Sequence, residues 1–599
     1  MNQFRVLFLF LALATMTWAD SDPALAASPS EFVRSQAGGA VHWQSWDATI
    51  VDRAKAAGKP VYLFAGSQLN ELTRATARQT FANAEVAAFL NENFFCVLVD
   101  RDEQPDLAAA IQYFLKSVKQ QDGWPAHLWL TPELQPYEGA AYLPPSEEWG
   151  KPSFMKVARQ AKEAWADAKA CRARAADAVS LMKTNPDLPP PSEMAGVKPD
   201  AQAEDAIGAW RAAVDATNGG FGTAPKALDP ELIRVLLTRA PADRDLAVAA
   251  LRAAINGATH DPLDGGFFPR TTDAAWKISY FQKGLSDQAR IALACLDAAK
   301  VTGDAHFGAA ARGALDYAMT SLALRNGGYA AAVDATGDEN GSYYTWTDAE
   351  IDAALGANSD AFKKAYGVAA AGNISPDDDP SGKFKGRNIL RRVTPAGSEP
   401  EERALAASAG KLYTVRSKRP APARSLRATA AGEGLMLAAF SRGAAELPDA
   451  AMKARLADAA GQLFAWLQKD MVTADGDVRH LPTPSILGGP ADYFGLAFGC
   501  REYAKLGHPE ATKLADQLVA RANERFLDAA HGRYLAAPAE LPPGVFVRAP
   551  ATGDAPSAEC LAVQAGVASD TKASLARTAA AEMEAGSTAP GDVLFVLTK

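Results

Sequence analysis

The chain has 599 residues, 48% of them hydrophobic and only 22% charged, which is too long for one core and too apolar for a disordered polymer. Two or more domains are expected. The formal net charge is -9 and the lysines and arginines are dispersed, so no basic stripe is available to neutralise phosphates, and nucleic acid is excluded as a partner.

Arg5 and the apolar run from Val6 to about Thr15 have the length of a signal-peptide core and are too short to span a bilayer. Small residues follow at two cleavage positions, Thr17-Trp18-Ala19 and the better Ala24-Leu25-Ala26, and neither precedes a lipobox-type cysteine. The expectation is an exported, periplasmic chain that loses residues 1–26; no later stretch reads as transmembrane. Export permits disulfides, but the five cysteines are far apart and odd in number. Cys96 and Cys295 lie in apolar runs and read as packed small hydrophobes. A long-range bridge among Cys171, Cys500 and Cys560 stays open.

From Asp47 the pattern predicts a helix to Ala57, a turn at Gly58-Lys59-Pro60, and the strand Val61 to Ala65. A helix over Ala84 to Asn91 leads to the strand Phe94 to Asp100, whose unbroken apolar run suits a sheet covered on both faces. A helix near Leu107 to Lys119, the segment Gly123-Trp124-Pro125 and the strand His127 to Leu130 complete a thioredoxin order over residues 30–182.

The segments Trp43 to Trp46, Gly58 to Val61, Phe81 to Val86, Val99 to Arg101, Asp122 to Pro125 and Leu130 to Pro132 resemble the thioredoxin-like domain of the spermatogenesis-associated protein 20 family. Members of that family carry a Cys-x-x-Cys motif before the second helix, where this chain reads Asn70-Glu71-Leu72-Thr73. Thiol–disulfide exchange needs a thiolate and a resolving sulfur at a helix head, and Asn70 and Thr73 supply neither. No redox activity is expected. The resemblance also implies a cis peptide at Trp124-Pro125, in a loop that receives an extended substrate backbone in redox members; here it reads as a retained packing turn or a peptide-docking loop without chemistry.

Residues 183–202 hold the cluster Pro186 to Pro191 and form a linker, semi-rigid because of its prolines, so the two domains are expected to act as one rigid unit. Residues 203–599 are alanine- and leucine-rich. About a dozen helical segments are predicted there, including 204–215, 230–239, 243–256, 284–302, 304–322, 402–417, 430–444, 450–470, 490–505, 509–526 and 570–585. Between them recurs a glycine-aromatic turn, at Gly219-Gly220-Phe221, Gly265-Gly266-Phe267, Gly327-Gly328-Tyr329 and more weakly His531 to Tyr534. Recurrence over tens of residues suggests stacked helical hairpins, about six of them closing into a ring.

The segments Gly219 to Lys226, Asp264 to Arg270, Trp276 to Leu285, Tyr343 to Trp346, Tyr366-Gly367, Gly372-Asn373, Gly434 to Met436 and Asp492-Tyr493 resemble the helical toroid of the same family. That toroid is similar to N-acylglucosamine 2-epimerases, cellobiose epimerases and six-hairpin glycosidases. The implied fold class is multidomain, an α/β thioredoxin-like domain followed by an all-α (α/α)6 toroid. A histidine and a glutamate of the family fall here on Tyr280 and Gln282. Neither is suited to proton transfer near neutral pH, since a tyrosine titrates near 10 and an amide carries no proton to give. The tryptophan and asparagine before Gly434 are replaced by Gly432 and Glu433, and a C-terminal motif is altered to Ser557-Ala558-Glu559.

What remains at the expected mouth suits a sugar, because aromatics stack on a pyranose while arginine and aspartate bond its hydroxyls. The ligand-binding candidates are Arg270, Trp276, Tyr280, Gln282, Asp334, Tyr344, Trp346, His480 and Tyr493, with Tyr343 and Arg479 beside them. Asp287 and Asp492 are the candidate catalytic carboxylates, since two carboxyl groups at the right separation suffice for a glycosidase. Aromatics beside glycines are equally ordinary inner-wall packing. No cofactor is expected, since phosphate-binding glycine loops are absent. Asp334 to Gly341 misses the calcium-loop spacing, the histidines form no zinc pair, and Asp377-Asp378-Asp379 reads as a solvated loop, so no metal is expected. The function expected is an exported, non-redox protein binding a carbohydrate or protein partner without catalysis; the alternative is a carbohydrate-active enzyme, epimerase or glycosidase-like, acting in the toroid.

Overall fold

Val61-Tyr62-Leu63-Phe64-Ala65-Gly66 and Phe95-Cys96-Val97-Leu98-Val99-Asp100 are apolar on both faces, and each residue of both segments is buried. They form the central parallel pair of a five-stranded sheet. The computed structural model describes residues 21–184, 196–334, 341–395, 397–482, 486–542, 544–549, 556–583 and 589–599, and all structural statements concern these. The expected signal core, most of the linker and the centre of the Asp334 to Gly341 loop lie outside them.

The sheet contains β1 (Gln44–Ser45), β2 (Val61–Gly66), β3 (Phe95–Asp100), β4 (Ala126–Leu130) and β5 (Pro136–Ala140) in the order β1-β3-β2-β4-β5. β2 pairs parallel to β3 and antiparallel to β4, with Leu63 opposite Val97 and Leu128. With it belong α1 (Glu31–Gln36), α2 (Ile50–Ala57), α3 (Glu71–Thr76), α4 (Ala84–Asn93), the C-terminal part of α5 (Pro105–Lys119), α6 (Phe154–Trp165) and most of α7 (Ala168–Thr184). This is the thioredoxin-like architecture. Trp43, Tyr62, Phe64, Phe81, Trp129 and Phe154 form an aromatic core beneath the sheet. Trp124-Pro125 is cis, as is Ala224-Pro225, which the sequence reading did not anticipate.

The helical part is an alternation of outer and inner helices. The outer ones are α8 (Pro199–Ala212), α10 (Pro241–Asn256), α12 (Ala305–Tyr317), α17 (Ala450–Trp466), α19 (Pro509–Phe526) and α21 (Ser569–Ala581). The inner ones are α9 (Pro230–Leu237), α11 (Leu285–Thr302), α16 (Ala430–Glu446), α18 (Pro490–Ala504), α20 (Ala558–Ala565) and α22 (Gly591–Thr598). Each inner helix packs on the next, and α22 returns to α9, so the chain closes an (α/α)6 ring. Closure is tied by Trp210 Nε1 donating to the Ala589 carbonyl at 2.7 Å and the Gly591 N–H donating to Asp229 at 2.8 Å. Inner helices are buried nearly all round: Gly434 of α16 lies so close to Gly495 of α18 that a Cβ there would sit 2.3 Å from its backbone. Only glycine permits that approach.

Between α12 and α16 the chain makes an excursion carrying α13 (Asp348–Leu355), α14 (Ser359–Tyr366) and α15 (Glu399–Arg416), with its own small cores. Its strands β7 (Ala332–Asp334) and β8 (Ala423–Ser425) join β6 (Gln282–Gly284) in an antiparallel sheet ordered β8-β7-β6. Within it the expected solvated loop is half-buried in part: Asp378 pairs with Lys277 at 2.9 Å and Asp379 accepts from the Phe384 N–H at 2.6 Å. Local geometry gives those two aspartates specific partners that charge density alone did not signal.

Cα proximity divides the chain into two compact units, one of Met1–Asp102, Phe114–Ser180 and Pro543–Phe546, the other of Glu103–Tyr113, Leu181–Pro542 and Val547–Lys599. All five cysteines are free and buried, which settles the open bridge among Cys171, Cys500 and Cys560. Among the described residues no helix is long and apolar enough to cross a membrane.

Candidate functional site

At the head of α3 the two positions that would carry sulfur are occupied by a cap. Asn70 accepts from the Thr73 N–H at 2.8 Å and from the Thr73 hydroxyl at 3.1 Å, which satisfies an orphan donor of the first turn. Thr73 is fully buried, and a Cβ on Gly66 would lie 2.5 Å from its methyl. Ser67 donates to Asp102, and the Arg101 guanidinium lies 5.0 Å over the Trp124 ring. Burial pushes the Cys96 and Cys171 thiols up, so neither supplies a thiolate. This corner has no sulfur with which to exchange a disulfide.

In the ring, each inner helix begins at one common end, here called its N-terminal face, and is preceded by a turn that leaves the outer helix. The glycine-aromatic repeats are these turns. Val214 bridges Phe221, His260 bridges Phe267, Ala323 bridges Tyr329 and Val472 bridges Val478, while Leu527 pairs with Tyr534. The glycines make room for a neighbouring ring: a Cβ on Gly220 would meet Trp276 at 2.8 Å, and one on Gly327 would meet Trp466 at 2.4 Å.

The candidates divide into those the fold consumes and those it pairs. Trp276 is buried, with φ at +57°, and its Nε1 donates to the Gly219 carbonyl at 3.1 Å. It is a wedge beneath the first turn. Trp346 is fully buried under the Arg419 guanidinium, 3.9 Å above its ring. Tyr493 donates to Asp477 at 2.9 Å, which is also held by Arg521 at 2.8 Å. Arg479 donates to the Asp470 carbonyl at 3.0 Å. Tyr344 is buried and half-buried Tyr343 stands edge-on to it, their ring centres 4.8 Å apart.

Both tyrosines rest on a group absent from the sequence reading. Lys283 donates to Asp261 at 2.8 Å and Asp264 at 2.6 Å, and Arg416 to the same carboxylates at 2.6 and 2.8 Å. Two cations and two anions thus close a charge-balanced square. Lys283 sits 4.7 Å from the centres of the Phe268 and Tyr317 rings. Burial alone would push the Asp261 carboxyl up, but Arg416 and Lys283 outweigh it and hold it well below the usual carboxylate range. A signal existed: Asp215-Ala-Thr-Asn-Gly-Gly-Phe221 and Asp261-Pro-Leu-Asp-Gly-Gly-Phe267 are one repeated turn, each with a buried lysine on its first aspartate.

Three pairs of candidates come together. Arg270 lies 4.6 Å over the Tyr280 ring. Gln282 stands opposite Asp334 in the β6/β7 register, so both side chains project from one face of the small sheet. His480 Nδ1 meets Asp492 at 2.9 Å. Asp492 also accepts from the Ala431 N–H at 3.1 Å and the Gly489 N–H at 3.1 Å, so it joins α16 to the start of α18. Asp287 occupies the first turn of α11. A cavity of about 70 Å³ bordered by Leu487, Gly488, Gly489, Arg525 and Ala536 has room for a few waters and is smaller than the usual ligand pocket of roughly 300 Å³ or more.

Fold and site define a class: a thioredoxin-like domain whose cysteine positions are a helix cap, followed by an (α/α)6 ring. Residues 22–183 match the family described as Thioredox_DsbH, a protein of unknown function, DUF255. Over most of its length the chain is similar to spermatogenesis-associated protein 20 of Homo sapiens, 28% identical over 575 residues, covering 87% of this chain and 72% of that protein. The Rattus norvegicus protein of that name is 29% identical over 455 residues, covering 69% of this chain and 57% of the relative. Among solved structures, cellobiose 2-epimerase from Spirochaeta thermophila is similar at 16% identity and a TM-score of 0.37, over 65% of this chain and 83% of that one. The cellobiose 2-epimerase of Bacillus thermoamylovorans is similar at 11% identity and a TM-score of 0.35, over 56% of this chain and 74% of that one.

Proposed function

We propose that the chain is an exported, periplasmic protein without thiol–disulfide activity whose helical ring binds a carbohydrate-class ligand without turning it over. The observation that carries the reading is the use made of the carboxyl groups on the N-terminal face. Glu231 is held by Arg290, Glu433 by the Tyr329 N–H, Asp492 by His480 and two backbone amides, Glu559 by the Tyr534 N–H and Asp592 by the Ser557 N–H. Groups so committed hold the turns and are poorly placed to move protons on a substrate. The stacked Arg270–Tyr280 pair and the Gln282–Asp334 face offer the mixture of aromatic surface and planar donors that suits a pyranose. Thermal-shift titration with mono- and disaccharides, repeated on Tyr280→Ala and Gln282→Ala, tests the reading. The expected result is a sugar-dependent rise in melting temperature that both variants lose; a rise retained by both would overturn this location. Insulin reduction should stay at the uncatalysed rate.

A second reading, a carbohydrate isomerase or glycosidase-like enzyme, is favoured by the His480–Asp492 pair, since a carboxylate that orients an imidazole is the arrangement proton transfer uses. Reducing sugars incubated in D2O would then gain deuterium beside the carbonyl, or glycosides would be cleaved, with wild type and not with His480→Ala.

A further inference from the structure

Three inner helices reach back in the same way to the turn that precedes them. Gln288 of α11 accepts from the Phe267 N–H at 2.7 Å while its amide donates to the Phe267 carbonyl at 2.8 Å. Glu433 of α16 accepts from the Tyr329 N–H at 2.6 Å, and Glu559 of α20 accepts from the Tyr534 N–H at 3.0 Å. The acceptor, the aromatic donor and the place in the hairpin repeat; the chemistry does not, because one clasp is a neutral amide and two are carboxyls.

The surroundings of the two carboxyls disfavour charge. Glu433 is fully buried, its second oxygen has no hydrogen-bond partner, and burial pushes it well above the usual carboxylate range. Facing it are the Tyr329 phenol, itself pushed up chiefly by burial, and the neutral Trp466 ring of α17, which packs on Gly327 and Gly328. Glu559 faces Tyr534 in the turn, Glu582 at the end of α21 and Asp592 of α22; burial pushes it up to about 7, outweighing the Tyr534 and Glu559 backbone N–H groups that lower it, with a smaller push from the two acids. Below neutrality each clasp is therefore made by a neutral carboxyl group, the nearest chemical equivalent of the Gln288 amide.

We propose that Glu433 and Glu559 are proton-operated clasps, which hold the turns of the ring's N-terminal face while protonated and release them when ionised. The ring tightens on acidification and slackens as pH rises. The sign follows from linkage: a carboxyl that is harder to ionise in the closed turn than in the open one favours opening with increasing pH, from the ordinary carboxylate range up to its own titration. For Glu559 that window ends near neutrality; for Glu433 it likewise lies above the ordinary carboxylate range. Phe267, held by an amide, is the built-in control.

Hydrogen–deuterium exchange of the full chain between pH 5 and 8.5, corrected for intrinsic rates, tests the proposal. Relative to Phe267, protection of the Tyr534 amide should fall by about tenfold per pH unit up to about pH 7 and then level off, and that of Tyr329 should also fall as pH rises above the ordinary carboxylate range. Glu559→Gln should hold Tyr534 at a constant ratio to Phe267 throughout, and Glu433→Gln should do the same for Tyr329. Parallel behaviour of the three amides in the wild-type protein overturns the proposal, and so does a pH slope that survives in folded Gln variants. The wild-type comparison needs no variant, so a substitution that fails to fold does not remove the test.

Discussion

Lys283 has no exposed side-chain surface, and its charge is tolerated because Asp261 and Asp264 lie within 2.8 Å. Replacing it with methionine keeps the volume and leaves Arg416 alone against two buried carboxylates. Removing one partner from such a group costs about 3–5 kcal/mol, so Lys283→Met should lower the denaturation midpoint sharply while Lys277→Met, at a partly exposed pair, changes it little. At the other end of the chain, Leu25 is fully buried in the thioredoxin-like core, the Asp22 N–H donates to the Trp43 carbonyl at 2.9 Å, and Asp22 pairs with Arg53 at 3.3 Å. Cleavage after Ala26 would strip these residues from the fold. On the export proposed above, the mature chain should begin after Ala19, and intact-mass measurement of secreted material checks this.

Among the elements, β4 carries a pH dependence of its own. His127 is fully buried, its Nδ1 lies 2.7 Å from the Tyr62 hydroxyl, and burial pushes it down to about 3. A histidine depressed in the folded state contributes stability that is complete above about pH 6.5 and is lost as pH falls towards the folded value, at about 1.4 kcal/mol per unit. Urea melts followed by tryptophan fluorescence between pH 7 and 4 should show that slope, and His127→Gln should remove it. The direction is opposite to that of the glutamate clasps, so the two effects separate by variant.

Elements also differ in how well they could be read. β2 and β3 were legible because a sheet covered on both faces demands unbroken apolar runs, and α19 at 509–526 because one wet face leaves a helical period. α20 and α22 were not recognised. Gly591-Asp-Val-Leu-Phe-Val-Leu-Thr is short, rich in β-branched residues and buried on most sides, so no period survives to tell a helix from a strand. α13 and α14, eight residues each, were also outside the predicted segments.

For the whole molecule, neither compact unit is contiguous in the chain: one takes Pro543–Phe546 from far downstream, and the other takes Glu103–Tyr113 from upstream. We therefore propose that the halves do not fold independently. Residues 21–184 and 196–599 expressed separately should be aggregated or melt well below the full chain; a separate helical half that melts at the full-length temperature would refute this.

By itself the sequence determined the two architectures and the absence of a cysteine pair at the head of α3. Both follow from local facts: apolar period, glycine-aromatic turns, and the absence of sulfur at positions 70 and 73. Only the tertiary structure decided what the polar residues of the ring do. Trp276, Trp346 and Tyr493 looked like a sugar platform and are wedges and struts, whereas Lys283, Arg416 and Glu433 drew no attention as charged partners and hold the turns together. The reason is physical. A charged or aromatic side chain reads the same in sequence whether it meets solvent or a partner, and what assigns its role is a buried neighbour that can lie, as Arg416 does from Asp261, 155 residues away.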